Sequence, residues 1–221
     1  MQKSRQIQKR KPFRVLPPLI FGFLFSLFII STILKTTNDY SYPESYLVKD
    51  FPLLEQPDQI TCGPTSCAML INHYGHEVTI QSVSKETKTK WISYKGENIG
   101  MTSPDYIQIA LKKFGIRSKV KTGNLDQLKH YVSQDRLPIV LLRSGEKTWH
   151  YVVAMGYNDK EVFLADPGWG EVRKIKNEVF LRSWEFAGDM RGNTLPNDDL
   201  ISFLVLMADV QKRTMIVPDK R

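Results

Sequence analysis

Cys62, His150 and Asp166 are three residues whose side chains could together run acyl transfer. A thiol attacks as its thiolate, and an imidazole exchanges protons near neutral pH. A carboxylate beside that imidazole fixes its tautomer and supports its charged form. Cys62 stands just before Gly63-Pro64. Pro at the start of a helix and Gly75 beyond its end mark a helix from Cys62 to Tyr74. Exposed N–H groups and the helix dipole at such a start favour thiolate. The ordinary fate of a free cysteine is a small buried hydrophobe. Cys67 suits that fate better, deeper in the same helix among Ala68, Met69 and Leu70. The two cysteines are five apart, a spacing at which an intrahelical disulfide would strain the backbone.

A hairpin must bring the histidine to the acid. His150 opens one candidate strand and Asp166 closes the next, with Asn158-Asp159 between them as turn formers. An odd-length turn centred on residue 158 would set His150 directly opposite Asp166, with Cβ atoms about 5 Å apart. A two-residue turn at Asn158-Asp159 would slip the register by one and require a bulge to restore it. Taken alone, the pair reads first as a structural contact at a sheet edge. The helix-start cysteine is what turns it towards nucleophilic catalysis.

The elements around these residues follow from caps and periodicity. A short helix starts after Thr79. A third has Ser103 as cap, Pro104 at its first position, Gly115 at its end, and an apolar face of Ile107, Ala110, Leu111 and Phe114. Asn124 caps a fourth, with Leu125, Leu128 and Val132 inward. The pattern then turns β-branched with period two. Candidate strands are Ile139 to Arg143, His150 to Tyr157, Glu161 to Asp166, Glu171 to Ile175 and Ile201 to Met207, interrupted by a helix near Asn177 to Trp184. Helices first and strands later predict an α+β domain with a helical half packed on an antiparallel sheet.

Gln56-x5-Cys62-Gly63-Pro64-Thr65-Ser66, with Ala68-Met69 and Asn72-His73-Tyr74-Gly75, resembles the peptidase C-thirty-nine-like family. Its members are relatives of the bacteriocin-processing, double-glycine leader peptidases. His150-Tyr151-Val152-Val153, Gly156-Tyr157 and Asp166-Pro167 are similar as well, and the resemblance covers about Tyr46 to Met207. It implies a papain-like fold and a cysteine peptidase acting on a peptide or protein substrate, with no metal or other cofactor. Cys62 would form a thioester, His150 would serve as base, and Asp166 would orient the imidazole. Gln56 would lend its side-chain N–H to an oxyanion hole; without the family spacing, Gln59 is an equal candidate. Leader peptidases front an ATP-binding transporter on the cytoplasmic side. These 221 residues carry no G-x-x-x-x-G-K-[ST] loop, so leader removal during export is not implied. A transpeptidase or amidase would use the same chemistry, and a peptide-binding module without catalysis is the alternative from another class.

The formal charge of +8 points to nucleic acid until it is located. Six basic residues and no acid lie within the first fourteen, leaving +2 for the rest, and no Arg stripe interleaves with aromatics. Nucleic-acid binding is therefore not expected. Residues 15–34 carry no charge and as a helix would span about 30 Å, a bilayer's hydrocarbon thickness. Basic residues before them predict a cytoplasmic N-terminus and a body outside the cytoplasm, at the cell membrane. A cleaved signal peptide is the rival, though Ser31 to Thr37 offers no A-x-A-like site. The expected order is thus a basic tail (1–14), a transmembrane signal anchor (15–34), a spacer (35–44), the peptidase domain (45–210) and a loose C-terminal tail (211–221).

Weaker candidates complete the reading. His73 and His76 form an H-x-x-H without further metal ligands nearby, and His130 lies mid-helix. Trp149 and Trp169 flank His150 and Asp166 and could wall a cleft or pack in the core. Asp58 reads as a turn residue.

Overall fold

Helix α1 begins at the cysteine itself and runs Cys62–His73, buried from Gly63 through Ile71. The computed structural model describes residues 40–94, 97–145, 148–184 and 213–219. The apolar stretch 15–34 and the candidate strand Ile201–Met207 lie outside them. Among the described residues, no helix is long and apolar enough to cross a membrane.

Local signals decide most helices. Helix α2 (Ile80–Thr87) starts where Thr79 Oγ1 accepts from the Ser82 amide. Helix α3 (Pro104–Lys113) starts behind Ser103, whose hydroxyl accepts from the Asp105 amide, and buries Ile107, Ala110 and Leu111. Helix α4 (Leu125–Ser133) carries a full capping box between Asn124 and Gln127. Helix α5 spans Asn177–Trp184.

The strands are β1 (Tyr46–Leu47), β2 (Lys90–Tyr94), β3 (Glu97–Met101), β4 (Ser118–Thr122), β5 (Ile139–Arg143), β6 (Trp149–Tyr157), β7 (Glu161–Asp166), β8 (Glu171–Lys176) and β9 (Thr214–Pro218). The main sheet is antiparallel in the order β4-β9-β5-β6-β7-β8, and β1 pairs with the far end of β6. Strands β2 and β3 form a separate hairpin. Strand β6 is buried from Tyr151 to Tyr157, so it is covered on both faces. Helix α1 is tied to it where Ser66 Oγ donates to the Tyr151 carbonyl at 3.1 Å.

Strands β1, β4 and β9 and the β2–β3 hairpin were not among the strands expected from sequence. Residues 214–218, expected in a loose tail, form β9 in the interior of the sheet, bonded to β4 and β5 and buried throughout. Their apolar run is short and flanked by charges, which masked it. The β2–β3 hairpin carries little period-two signal, since Trp91 and Ile92 are adjacent in β2 and β3 holds Glu97, Asn98 and Gly100 among its five residues.

Ile216 has no exposed surface at the centre of this sheet. Ile216→Ala is therefore expected to destabilise the fold by about 2–5 kcal/mol, read from the urea midpoint at unchanged m-value.

Candidate active site

The β6–β7 hairpin departs from a simple ladder. Its turn is two residues, Asp159 and Lys160. The Asn158 amide donates to the Glu161 carbonyl, and the Asn158 side-chain oxygen accepts from both the Lys160 and Glu161 amides. The ladder runs Tyr157↔Val162 and Gly156↔Phe163, then shifts to Ala154↔Leu164 and Val153↔Ala165. Met155 is the extra residue of a bulge. Continuing that register sets Asp166 opposite Val152, not opposite His150 as an odd turn would require. Because side chains alternate, His150 shares the face of Val152 and lies diagonal to the acid. The two side chains meet, His150 Nε2 to Asp166 Oδ1, at 2.6 Å. Without the bulge Asp166 would oppose Val153 and emerge on the other face.

Asp166 is nearly sealed, its side chain 2% exposed against 19% for His150. Oδ1 also accepts from the Gly168 amide at 2.9 Å, and Oδ2 accepts from Arg173 Nη1 at 3.1 Å. Burial pushes this carboxyl up, but His150, the Gly168 amide and Arg173 together hold it below its ordinary value. Burial likewise pulls the His150 imidazole down. Its hydrogen bonds to Asp166 and to Cys62 outweigh that and raise its pKa from 6.5 to about 9. With Nε2 committed to Asp166, Nδ1 is the ring nitrogen left for the thiol.

Cys62 is half-buried at the first position of α1, whereas Cys67 is fully buried and its thiol pKa is pushed up by that burial. Asp58 shapes the approach to the helix, its Oδ1 accepting from the Ile60 and Thr61 amides at 2.9 and 3.0 Å. At Gly63 a Cβ would lie 3.0 Å from the Thr102 side chain, so the end of the β2–β3 hairpin presses on the residue after the thiol. The Thr102 carbonyl accepts from the Tyr151 hydroxyl at 2.9 Å. Gln56 is half-buried while Gln59 is exposed. The Gln56 amide donates to the Pro167 carbonyl at 2.8 Å, which ties its loop to the turn after Asp166. Its side-chain Nε2 donates to the Asp58 carbonyl at 2.6 Å.

Sequence reasoning missed Arg173, which reaches Asp166 diagonally from β8 and stacks over Trp169 at 4.4 Å. Its signal was the four-residue turn Pro167–Gly170, which carries the chain back beside the acid. Trp169 is 59% exposed on this turn, while Trp149 is half-buried. His73 lies elsewhere, bonded to Asp135 at 2.8 Å and stacked against Phe51 and Tyr74. His130 donates from Nδ1 to the Ser41 carbonyl. Among the described residues, no three His, Cys, Asp or Glu side chains cluster as metal ligands.

Known proteins resemble this chain in sequence and fold. The family model described as Peptidase_C39 like family matches residues 48–190. The Lactococcin-G-processing and transport ATP-binding protein LagD of Lactococcus lactis is 29% identical over 136 residues, 60% of this chain and 17% of that protein. This chain thus spans about a sixth of that relative's length. A crystal structure of a C39-like peptidase from Bacillus anthracis aligns with 81% of this chain and 99% of its own at TM-score 0.60 and 17% identity. The peptidase domain of Streptococcus ComA, described as a bi-functional ABC transporter involved in a quorum-sensing pathway, aligns with 61% of this chain and 92% of its own at TM-score 0.50 and 22% identity. At these identities the two structures speak for the fold.

The contact between His150 and Asp166 has a direct readout. The His150 ring is expected to titrate at about pH 9 by long-range ¹⁵N NMR, and to fall towards 6.5 in Asp166→Asn. A raised folded pKa contributes stability that is full below about 6.5 and disappears as pH rises through about 9. The stability gap between the native chain and Asp166→Asn should therefore narrow across that window in pH-dependent urea melts.

Proposed function

Because this chain belongs to the Peptidase C39-like family, we propose that it is a cysteine peptidase that hydrolyses peptide bonds through a thioester on Cys62. The observation carrying this reading is the His150 ring, bonded to buried Asp166 at 2.6 Å, with Cys62 among the groups that raise its pKa. An imidazole held this way keeps its proton to about pH 9 and can give it up again within the cycle.

In the proposed cycle the Cys62 sulfur attacks the peptide carbonyl carbon as thiolate, and the carbonyl π pair moves to oxygen. The Cys62 amide and one Gln56 side-chain N–H stabilise that oxyanion. Gln56 Nε2 has two hydrogens, and the Asp58 carbonyl occupies only one. As the C–N bond breaks, the His150 Nδ1 proton passes to the leaving amine. The neutral imidazole then takes a proton from water, whose oxygen displaces the thiolate and releases the acid. Asp166 stays ionised throughout and holds the ring through Nε2–H. Hydrolysis is preferred over transpeptidation because water requires no second binding site.

The domain is further proposed to work outside the cytoplasm, tethered through residues 15–34, whose uncharged twenty-residue run follows a basic segment. Its substrate would then be an extracytoplasmic peptide or protein. Purified full-length chain is expected to cleave members of a fluorogenic peptide library. Cys62→Ala should abolish cleavage, Cys67→Ala should retain it, and Gln56→Ala should lower kcat about 10²–10³-fold with KM little changed. Cleavage surviving in Cys62→Ala would refute the reading. A tagged chain should sediment with membranes and resist carbonate extraction; release into the carbonate supernatant would remove the tether alone.

A further inference from the structure

Residues 40–48 are a strap laid over α4 and into the sheet. Tyr42 donates to Asp126 Oδ1 at 2.6 Å, Gln127 donates to the Tyr40 hydroxyl at 2.7 Å, and the Tyr42 ring meets Tyr157 edge-on at 5.7 Å. Next, Tyr46 pairs with Tyr157 and Leu47 with Gly156, and the Val48 amide donates to the Met155 carbonyl at 3.0 Å. Among those three partners is Met155, the extra residue of the β6 bulge.

The contact is close on both sides. A Cβ on Gly156 would stand 2.8 Å from the Tyr46 carbonyl oxygen, 2.9 Å from Leu47 Cδ1 and 2.8 Å from Phe163 Cδ2. Strand β5 pairs β6 as far as Val153 and the Pro138 carbonyl takes the Ala154 amide, so from Met155 onward the strap supplies the partners on that edge. A bulged residue has no ladder partner across the hairpin, and a buried carbonyl left unbonded is costly. The strap relieves that cost at Met155, and only with the bulge in place does Asp166 emerge on the face of His150.

We propose that residues 40–48 are a positioning element for the His150–Asp166 pair, acting through the Met155 bulge five residues along β6 from His150. At about 3.3 Å per residue this is action over about 17 Å. Its relevance to catalysis rests on the peptidase reading; the positioning itself does not. Release of the strap removes the reason for the bulge, the hairpin relaxes to its unbulged register, and His150 loses the acid. The groups facing His150 are Asp166 and Cys62, with Arg173 behind the acid, so the ring's titration reports that loss.

The test uses full-length chain carrying Val48→Pro, which removes the donor to Met155, or Gly156→Ala, which crowds the strap while keeping every donor. The folded variants are expected to show the His150 titration moved from about 9 towards 6.5, as in Asp166→Asn, with no further shift when combined with Asp166→Asn. Peptide cleavage should fall in parallel. Should Val48→Pro fail to fold, Gly156→Ala carries the test. A cooperative melt at lowered temperature with His150 still titrating at about 9 would reduce the strap to a stabilising segment and overturn the proposal. A native chain that shows these shifts but cleaves no peptide would instead refute the peptidase reading and leave the strap's role standing.

Discussion

Met155, one residue more than the β6–β7 ladder needs, decides which side of the sheet Asp166 faces. Side chains alternate along a strand, so a shift of one position exchanges faces. The two-residue turn at Asp159-Lys160 by itself directs Asp166 away from His150, and the bulge reverses that. What the site can do follows from this correction: the 2.6 Å contact, the raised imidazole and a second ring nitrogen not taken up by the acid.

A carboxylate sealed from water is costly unless every oxygen is satisfied. Around Asp166 the chain meets that demand with three donors from three places: His150 on β6, the Gly168 amide in the turn and Arg173 on β8. The arrangement leaves the acid ionised and immobile, which suits a group that orients a base without accepting its proton. A Cβ on Gly168 would lie 3.2 Å from Asp166 Oδ1 and 3.6 Å from the His150 ring, so the turn closes directly over the pair. The Gln56 loop hangs from the same turn through the Pro167 carbonyl, so nucleophile approach and acid are framed by one short segment.

Much of this was legible from residue types. Thr79, Ser103 and Asn124 announced their helices as caps, and the Cys62 helix was bounded by Pro64 and Gly75, because local hydrogen bonds and backbone freedom decide such ends. Pairing His150 with Asp166 was also legible, since both lie on one hairpin. The diagonal geometry was not: a bulge is settled by the strap on the far edge of β6, whose two-residue strand has no signal of its own. Arg173 was hidden for a similar reason, since its partner is fixed by the β7–β8 register. The burial of β9 depends on a gap between β4 and β5 that is visible only once the sheet is assembled.

In the proposed cycle His150, held by Asp166, makes Cys62 the residue that carries the substrate's acyl group. Rapid acid quench of the cleavage reaction followed by intact-mass analysis and peptide mapping tests it most directly. A transient thioester of the substrate's N-terminal fragment is expected on Cys62, labile to hydroxylamine and absent in His150→Ala. Product formed with no acyl mass on Cys62, or with that mass on Cys67, would contradict it.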